Sequence, residues 1–467
     1  MNDYSREEQE KISVAVNRFE KMIRLSENYF FDHEELEKII EHYMLKNLHQ
    51  KAMKVIRFAK DQYPSSGVFI LRKSQVLSAS GKFKEALVLL EKLDVLEPGN
   101  PEIPLTRGGI FSMLDNPQKS INYYKEALAL DPSIEDAYLY IAIEYQHLKK
   151  HGLAIKYLKK CLLLDPENET ALFEIFHCFD QSSRLKAGVQ FFNLFLDEYS
   201  YNQTAWYCLG YLLSRQHDHE KAIEAFDYAL LIDDAYGIAS FSKANSQCAL
   251  ERYEDAIVSY NETLKINGED AYVHAYLGEC YEHLGQFESA KTHYQQSIDL
   301  DENISDAWIG MAVVMDAQDK TNEALFYVQK AISLDPDRGS YWYIQGDLQL
   351  KKGDIASAVQ SYQMVIDTEP ENEEIWISLS NVYLEQGNII TADALMRSGM
   401  EFHKDKARFL YQYCEVLLRS AKTQEALTVC EEALVKDYHL HEKIQNELTF
   451  FNSNQDIRRL IETYRQP

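Results

Sequence analysis

The sequence predicts an all-α protein, a solenoid of about twelve 34-residue helix-turn-helix repeats. The chain has 467 residues, more than one compact core usually contains. Only 10 Pro and 18 Gly occur, which favours helices joined by short turns. Trp206, Trp308, Trp342 and Trp376 are separated by 102, 34 and 34 residues, so all the tryptophans share one 34-residue phase.

The prolines report the same period, because six of them differ by multiples of 34: Pro64, Pro98, Pro132, Pro166, Pro336 and Pro370. Residues 33–440 divide without insertion into frames that start at 33, 67, 101, 135, 169, 203, 237, 271, 305, 339, 373 and 407. Position 20 of the frame is small in every repeat, and position 8 is small in all but two, where Ile40 and Phe176 occur. These small residues predict close contact between two helices.

Turn signals divide each frame into two helices. Glycine occurs at position 15 as Gly81, Gly285, Gly353 and Gly387, where it ends the first helix. The second helix ends at segments such as LALDP, 128–132, since proline prevents its continuation. Each frame therefore predicts one helical hairpin.

The registered positions form a known pattern, with Trp at position 4, Leu-Gly at 7 and 8, Tyr at 11, Ala at 20, an aromatic residue at 24, Ala at 27 and Pro at 32. The sixth repeat has Trp206, Leu209, Gly210, Ala222, Phe226 and Ala229, and the eighth has Leu277, Gly278, Tyr281, Ala290 and Tyr294. Over residues 33–440 the pattern resembles the tetratricopeptide repeat. The resemblance implies a right-handed superhelical solenoid whose first helices line a concave channel through positions 2, 5, 9, 12 and 13.

The flanks are expected to cover the exposed apolar faces of the terminal repeats. Residues 1–32 predict an N-terminal capping helix with Ile12, Val16, Phe19 and Ile23 on one face. Residues 441–467 predict C-terminal capping helices through Ile444, Leu448, Phe450, Ile457 and Leu460. Repeat five departs most from the pattern, with Phe176, Gly188, Phe195 and Ser200. Either neighbouring side chains compensate there, or the repeat forms a joint or a specialised pocket.

The net charge of −26 lies beyond the first hundred residues, which hold 16 Lys and Arg against 16 Asp and Glu. Such a field repels nucleic acid and attracts basic segments of other proteins. No secretory signal or bilayer-spanning run is expected. The seven cysteines are scattered without a Cys-x-x-Cys pair, so we expect a cytoplasmic protein without a disulfide framework. The oligomeric state is not encoded in any pattern.

No catalytic motif is found, neither a phosphate loop, a dinucleotide fingerprint, a zinc-protease helix nor a nucleophile elbow. The pairs His147 with His151 and His217 with His219 have spacings that suit a metal, but their places near turns favour solvated side chains. Cys161, Cys414 and Cys430 occupy packed positions and are expected to act as small hydrophobes. The prediction is a non-enzyme without cofactor or metal.

The concave channel provides the candidate binding site. Position 5 predicts an apolar, partly aromatic stripe, and position 9 predicts a polar neighbour for it. The candidates from these positions and from Tyr272 and Tyr276 beside them are Leu139, Phe173, His177, Tyr207, Tyr211, Phe241, Asn245, Tyr272, Tyr276, Tyr343, Asp347 and Asn381. The alternative is that position 5 packs mainly against the adjacent repeat.

The function expected from these features is a non-catalytic scaffold that binds a peptide or protein segment with basic residues in its groove. Two alternatives remain. One is that the chain is an adaptor or regulatory subunit that positions substrates for a separate enzyme. The other is that it is an RNA-binding helical repeat. The acidity and the fixed period argue against RNA. A clamp for chaperone tails is disfavoured too, because Phe241 and Ile377 stand where such clamps have lysine.

Overall fold

The computed structural model describes residues 6–25, 27, 29–445, 448 and 454–464. These residues form 27 α-helices and no strand. The helices are α1 Arg6–Leu25, α2 His33–Leu45, α3 His49–Gln62, α4 Gly67–Ala79, α5 Phe83–Leu96, α6 Glu102–Met113, α7 Pro117–Leu130, α8 Glu135–His147, α9 His151–Leu164, α10 Glu169–Gln181, α11 Leu185–Glu198, α12 Gln203–Arg215, α13 His219–Ile232, α14 Gly237–Ala249, α15 Tyr253–Asn267, α16 Ala271–His283, α17 Phe287–Leu300, α18 Ser305–Ala317, α19 Thr321–Leu334, α20 Gly339–Lys351, α21 Ile355–Thr368, α22 Glu373–Glu385, α23 Ile389–His403, α24 Ala407–Arg419, α25 Thr423–Lys436, α26 Leu440–Ile444 and α27 Gln455–Tyr464.

Helices α2 to α25 form twelve consecutive hairpins at a spacing of 34 residues. The first helix of every hairpin begins at frame position 1, except α6, which begins one residue later. The second helix begins at position 17 in all twelve. The chain divides into two compact units, residues 1–234 and 235–467. Within each unit a hairpin packs against the next one along the chain, so the all-α repeat fold predicted from the period is confirmed.

A left-handed residue ends the first helix of each hairpin, always at position 15. The four glycines predicted there have φ between 69° and 80°. The other eight repeats use a residue with a side chain in the same conformation, namely Asn47, Asp115, Lys149, Ser183, His217, Glu251, Asp319 and Ala421. The backbone turn is therefore the same in every repeat, whichever residue occupies it.

In the four repeats with glycine at position 8, that glycine faces the aromatic ring at position 24 of the same hairpin. A Cβ atom added to Gly278 would lie 2.6 Å from Tyr294 Cδ1, and one added to Gly346 would lie 2.4 Å from Tyr362 Cε1. Gly108 and Gly210 have the same relationship to Tyr124 and Phe226. Position 20 is also buried throughout: Ala52, Ala222 and Ala358 expose no surface. The predicted close approach of the two helices is confirmed.

The tryptophan at position 4 connects its hairpin to the end of the preceding segment. In each case the indole Nε1–H donates to the carbonyl oxygen six residues earlier, at 2.8–3.0 Å. The pairs are Trp206 with Ser200, Trp308 with Glu302, Trp342 with Pro336 and Trp376 with Pro370. This bond gives a physical reason for the shared phase of the tryptophans.

Helix α1 packs on the first hairpin through a face that differs slightly from the predicted one. Ile12, Val16 and Phe19 join the core around α2 and α3, as expected. Ile23 is 49% exposed, and Met22 is buried in its place. The prediction for Ile23 was wrong because the next buried residue after Phe19 is Met22, three positions further along the helix. The prediction placed it four positions further.

At the other end, Ile444, Leu448 and Ile457 are buried in a core that also contains α24 and α25, with Leu460 partly buried against it. Phe450 lies outside the described residues. Repeat five differs from its neighbours in being rich in rings. Phe179, Phe191, Phe195 and Tyr199 form a chain of aromatic contacts with centroids 4.8–6.0 Å apart, and a Cβ at Gly188 would meet Leu212 at 2.8 Å. Bulky rings and a close helix approach thus occur together in this repeat.

Candidate functional site

A pocket of about 400 Å³ lies on the first helices of three successive hairpins in the second unit. We call it the inner-helix pocket. Helices α16, α18 and α20 supply most of its wall, mainly from frame positions 2, 5, 6 and 9. Its main lining residues are Tyr272, Ala275, Tyr276, Glu279, Glu282, His283, Asp306, Ile309, Gly310, Val313, Arg338, Ser340, Tyr341 and Ile344. A volume of this size is within the range of ligand-binding clefts.

Two small residues shape this pocket, one by leaving space and the other by making room for an aromatic ring. Ala275 occupies position 5, where other repeats have Phe241 or Tyr343, so no large side chain projects there. Gly310 lies opposite Tyr294, and a Cβ atom at Gly310 would come within 2.1 Å of the ring atom Cζ. The floor is therefore formed by the face of Tyr294, which is buried. Ala275 thus interrupts the apolar, partly aromatic stripe predicted at position 5.

Aromatic residues form one side of the pocket. Tyr276 is 37% exposed, lies parallel to the ring of Tyr260 with centroids 5.8 Å apart, and contacts Phe241 at the same centroid distance. Tyr272 is 57% exposed. His283, at the rim, stacks on Tyr253 with centroids 4.6 Å apart. Because the tyrosines combine an apolar ring with a hydroxyl, they suit a ligand that has both apolar and polar groups.

The charges in the pocket are predominantly negative. Asp306 is paired with Arg338 at 2.6 Å and accepts a hydrogen bond from the Tyr341 hydroxyl at 3.0 Å. Glu282 accepts a hydrogen bond from the Tyr294 hydroxyl at 2.7 Å, and desolvation raises the pKa of this carboxyl group. Glu279 is more exposed and lies 4.0 Å from the imidazole of His283. Three carboxylates thus face one guanidinium, which favours a cationic ligand group.

Three polar residues predicted at position 9 accept hydrogen bonds from neighbouring side chains, two of them from tyrosines in the second helix of their own hairpin. Tyr260 donates its hydroxyl to Asn245 Oδ1 at 2.6 Å. Tyr362 donates to the carboxylate of Asp347, and desolvation raises the pKa of this carboxyl group. In the eleventh repeat, Gln412 donates to Asn381 at 2.6 Å. These residues remain exposed, but each already has an intramolecular partner.

Four of the five candidates in the first unit, all except Leu139, belong to an aromatic cluster. The rings of Phe173 and Tyr207 lie 6.0 Å apart, those of Tyr207 and Tyr211 lie 6.3 Å apart, and Phe176 contacts both Tyr211 and His177. His177 is exposed, and Phe173 and Tyr211 are half-buried. Leu139 and Tyr207 expose only 7% and 5% of their surface, so these two have little area to offer a ligand.

The twelve candidates therefore separate into groups. Tyr272 and Tyr276 line the inner-helix pocket, and Phe241 contacts Tyr276 beside it. Tyr343 is half-buried and hydrogen bonds with Ser378 at 3.2 Å. The acidic lining residues Glu279, Glu282 and Asp306 were not among the candidates. All three lie at the inward positions 2, 9 or 12 of their frames, so the frame alone can identify them. The predicted stripe at position 5 contains apolar and aromatic residues instead.

Metal-binding and reactive side chains are the remaining possibilities for chemistry. Among the described residues, no group of three or more His, Cys, Asp or Glu side chains is arranged to hold a metal ion. The rings of His217 and His219 lie 6.0 Å apart beside the turn between α12 and α13. Cys161, Cys414 and Cys430 expose no surface, and desolvation raises the pKa of Cys161 to about 12. No described helix combines the length and apolarity of a membrane-spanning segment.

Relatives among characterised proteins share only parts of the chain. Anaphase-promoting complex subunit 3 of Schizosaccharomyces pombe is 22% identical over 204 residues, which are 44% of this chain and 31% of that protein. Sperm-associated antigen 1 of Mus musculus is 44% identical over 55 residues, which are 12% of this chain and 6% of that protein. This chain thus matches less than a third of either relative. A solved structure, the APC/C hetero-tetramer Cut9-Hcn1, superposes with a TM-score of 0.43 at 15% identity and covers 88% of this chain and 94% of that one.

Family models give the assignment. Models described as tetratricopeptide repeat match residues 135–168, 271–304 and 315–373. The first two segments coincide with the fourth and eighth frames of the 34-residue period, and each contains one helical hairpin. With the same hairpin, the same left-handed conformation at position 15 and the same small positions recurring from residue 33 to residue 440, the chain is a tetratricopeptide repeat protein.

Proposed function

We propose that this protein is a non-catalytic interaction scaffold that binds a protein segment in the inner-helix pocket, and that the segment carries a basic side chain beside an apolar one. The inner-helix pocket is the observation that supports this function best. It joins three hairpins, so an extended segment lying along it contacts several repeats at once. A protein built only for stability gains nothing from unfilled space beside Ala275.

The expected contacts follow from the walls of the pocket. An aliphatic or aromatic side chain of the ligand enters between Tyr272 and Ile309, above the face of Tyr294. A lysine or arginine beside it pairs with Glu279, the most exposed of the three carboxylates, since Asp306 already has Arg338. Buried aromatic contacts supply most of the affinity in such interfaces, and the charge pair supplies orientation.

Peptide selection tests the proposal. A phage-displayed library is selected on the full-length chain, and the enriched peptides are synthesised and titrated by fluorescence anisotropy. We expect an excess of Lys or Arg next to large apolar residues. The pair Tyr272→Ala and Glu279→Lys should weaken binding about tenfold or more. The matched control changes Tyr201→Ala and Glu262→Lys, which alter the same residue types at exposed positions away from the pocket. Selection of acidic peptides, or equal losses in the two variants, overturns the proposal.

A second candidate is an adaptor or regulatory subunit that positions substrates for a separate enzyme. The observation in its favour is the similarity to a protein named as a subunit of the anaphase-promoting complex. A stable subunit and a transient binder behave differently when native extract is fractionated by size. The subunit proposal expects most of the chain at a mass well above its own 54.3 kDa, resistant to dilution. Elution of all the chain at its own mass contradicts it.

A further inference from the structure

A second cavity, at the N-terminal end of the first unit, has the opposite charge. We call it the basic pocket. It measures about 590 Å³ and lies between α1 and the first hairpin, lined by Lys21, Arg24, Lys51 and Lys54 together with Ile23 and Tyr43. It is not part of the concave surface, because its hairpin cations come from α3, the second helix of the first repeat. We propose that the basic pocket binds an acidic, partly apolar peptide segment of another protein.

The cations in the basic pocket are mostly uncommitted. Lys51 is paired with Glu20 at 2.6 Å and lies over the ring of Tyr43, 5.4 Å from its centroid. Within the described part of the chain, no acidic side chain forms an ion pair with Lys21, Arg24 or Lys54, and all three are exposed. Three cations therefore converge on one cavity whose single lining carboxylate already has a partner.

The sequence concentrates these charges locally. Residues 42–60 include five Lys or Arg and no Asp or Glu, in a chain whose net charge is −26. Lys51 and Lys54 are three residues apart on α3, and Lys21 and Arg24 are three residues apart on α1, so each pair lies on one helical face. Like charges held together without counter-ions repel one another. An anionic ligand relieves this repulsion.

Apolar surface in the basic pocket selects the kind of anion. Ile23 is 49% exposed among the cations, whereas Phe19 and Met22 beside it are buried in the core of the first hairpin. The buried ring of Tyr43 donates its hydroxyl to Glu20 at 2.9 Å and forms part of the floor. A peptide with carboxylates around one aliphatic or aromatic side chain matches both properties. A nucleic acid matches the cations but offers no aliphatic side chain to Ile23.

Binding is measured with the full chain and a fluorescein-labelled twelve-residue peptide composed of Asp, Glu and Leu. Two further probes are the same peptide with Lys in place of the acids and a labelled single-stranded DNA of matching charge. The test variant carries Lys21→Glu, Arg24→Glu and Lys54→Glu. The matched control carries Lys84→Glu, Lys92→Glu and Lys186→Glu, which make the same charge change at exposed sites of the same unit. Circular dichroism verifies the fold of both.

We expect the acidic peptide to bind the parent chain and the control with similar affinity, more tightly in low salt. The test variant should bind it about tenfold more weakly or worse. Equal weakening in both variants, or preference for the lysine peptide, overturns the proposal. Tighter binding of the DNA assigns the pocket to nucleic acid instead. If the parent chain forms dimers that only the test variant abolishes, and the peptide does not compete, the occupant is a second copy. None of these outcomes depends on the inner-helix pocket.

Discussion

The indole nitrogen of Trp342 donates a hydrogen bond to the carbonyl oxygen of Pro336 at 2.8 Å, so a residue of one hairpin holds the segment that leads into it. The replacement Trp342→Phe keeps most of the ring but removes the donor. We expect it to reduce local stability by about 1 kcal/mol, the usual value of one hydrogen bond. Native-state hydrogen exchange should show faster exchange in α20. The replacement Tyr201→Phe, at an 86% exposed ring, is the control, and unchanged protection in the tryptophan variant contradicts the prediction.

Glycine at position 8 tests the close packing of the two helices. In Gly278→Ala the new Cβ lies 2.6 Å from Tyr294, so Tyr294 must move, and we expect a loss of about 1–3 kcal/mol. Gly152→Ala is the control, because that helical glycine has no atom within 4 Å of its added Cβ. It should gain about 0.5–1 kcal/mol from the reduced backbone entropy of alanine. Urea denaturation followed by circular dichroism measures both, and equal effects of the two substitutions would refute the packing argument.

The turn residue at position 15 predicts substitutions that stabilise the chain. Ala421 has φ of 57°, a conformation that costs an alanine about 1–2 kcal/mol. Replacement by glycine removes this strain but adds chain entropy to the unfolded state, so Ala421→Gly should gain about 0.5–1 kcal/mol. Asn47→Gly should change stability less, since asparagine adopts this conformation more easily. Thermal denaturation compares them, with Ala187→Gly inside α11 as a control that should destabilise. A loss of stability in Ala421→Gly would show that the strain is not present.

Glu282 predicts a pH dependence. Burial raises the pKa of its carboxyl group in the folded state above the ordinary value of 4.5, so the folded state favours the protonated form. The protonated carboxyl group therefore stabilises the folded state. This contribution is complete below pH 4.5 and is lost as the pH rises through the pKa of the folded state. Glu282→Gln keeps an acceptor for the Tyr294 hydroxyl and cannot ionise. Relative to the parent chain it should therefore become more stable as the pH increases from 4 to 7, whereas the exposed Glu262→Gln should not. Denaturation at a series of pH values measures the free energy of unfolding. A difference between Glu282→Gln and the parent chain that stays constant with pH contradicts the prediction.

Most of the fold was predictable from the sequence because each repeat uses the same few contacts. Small residues at positions 8 and 20 are local requirements of two crossing helices. Position 20 is small in every repeat and position 8 in all but two. The phase of Trp206 and Trp376 identified the period before any helix was placed. The left-handed turn at Lys149 or Glu251 was not predictable from residue type, because the neighbouring helices impose a conformation that these residues do not favour alone.

The candidate site was less predictable because it depends on contacts between repeats. Position 5 was correctly placed on the first helix, but Leu139 and Tyr207 are buried whereas Phe241 retains exposed surface. The difference arises from the size of neighbouring side chains, which a single frame does not specify. The inner-helix pocket depends on two small residues in adjacent repeats: Ala275 leaves space at position 5, and Gly310 makes room for the ring of Tyr294 that lines the pocket. The 34-residue frames did not predict the basic pocket, because α1, which supplies part of its lining, lies outside them.

The pairing of Gly278 with Tyr294 also determines how such a chain can be recombined. Both members of this pair lie within one frame, so a segment exchanged between proteins at frame boundaries carries its complementary shapes with it. A crossover placed between the two helices of a hairpin would join one parent's position 8 to another parent's position 24. Chimeras cut at residues 270 and 304 should therefore tolerate sequence divergence that chimeras cut near residue 285 do not.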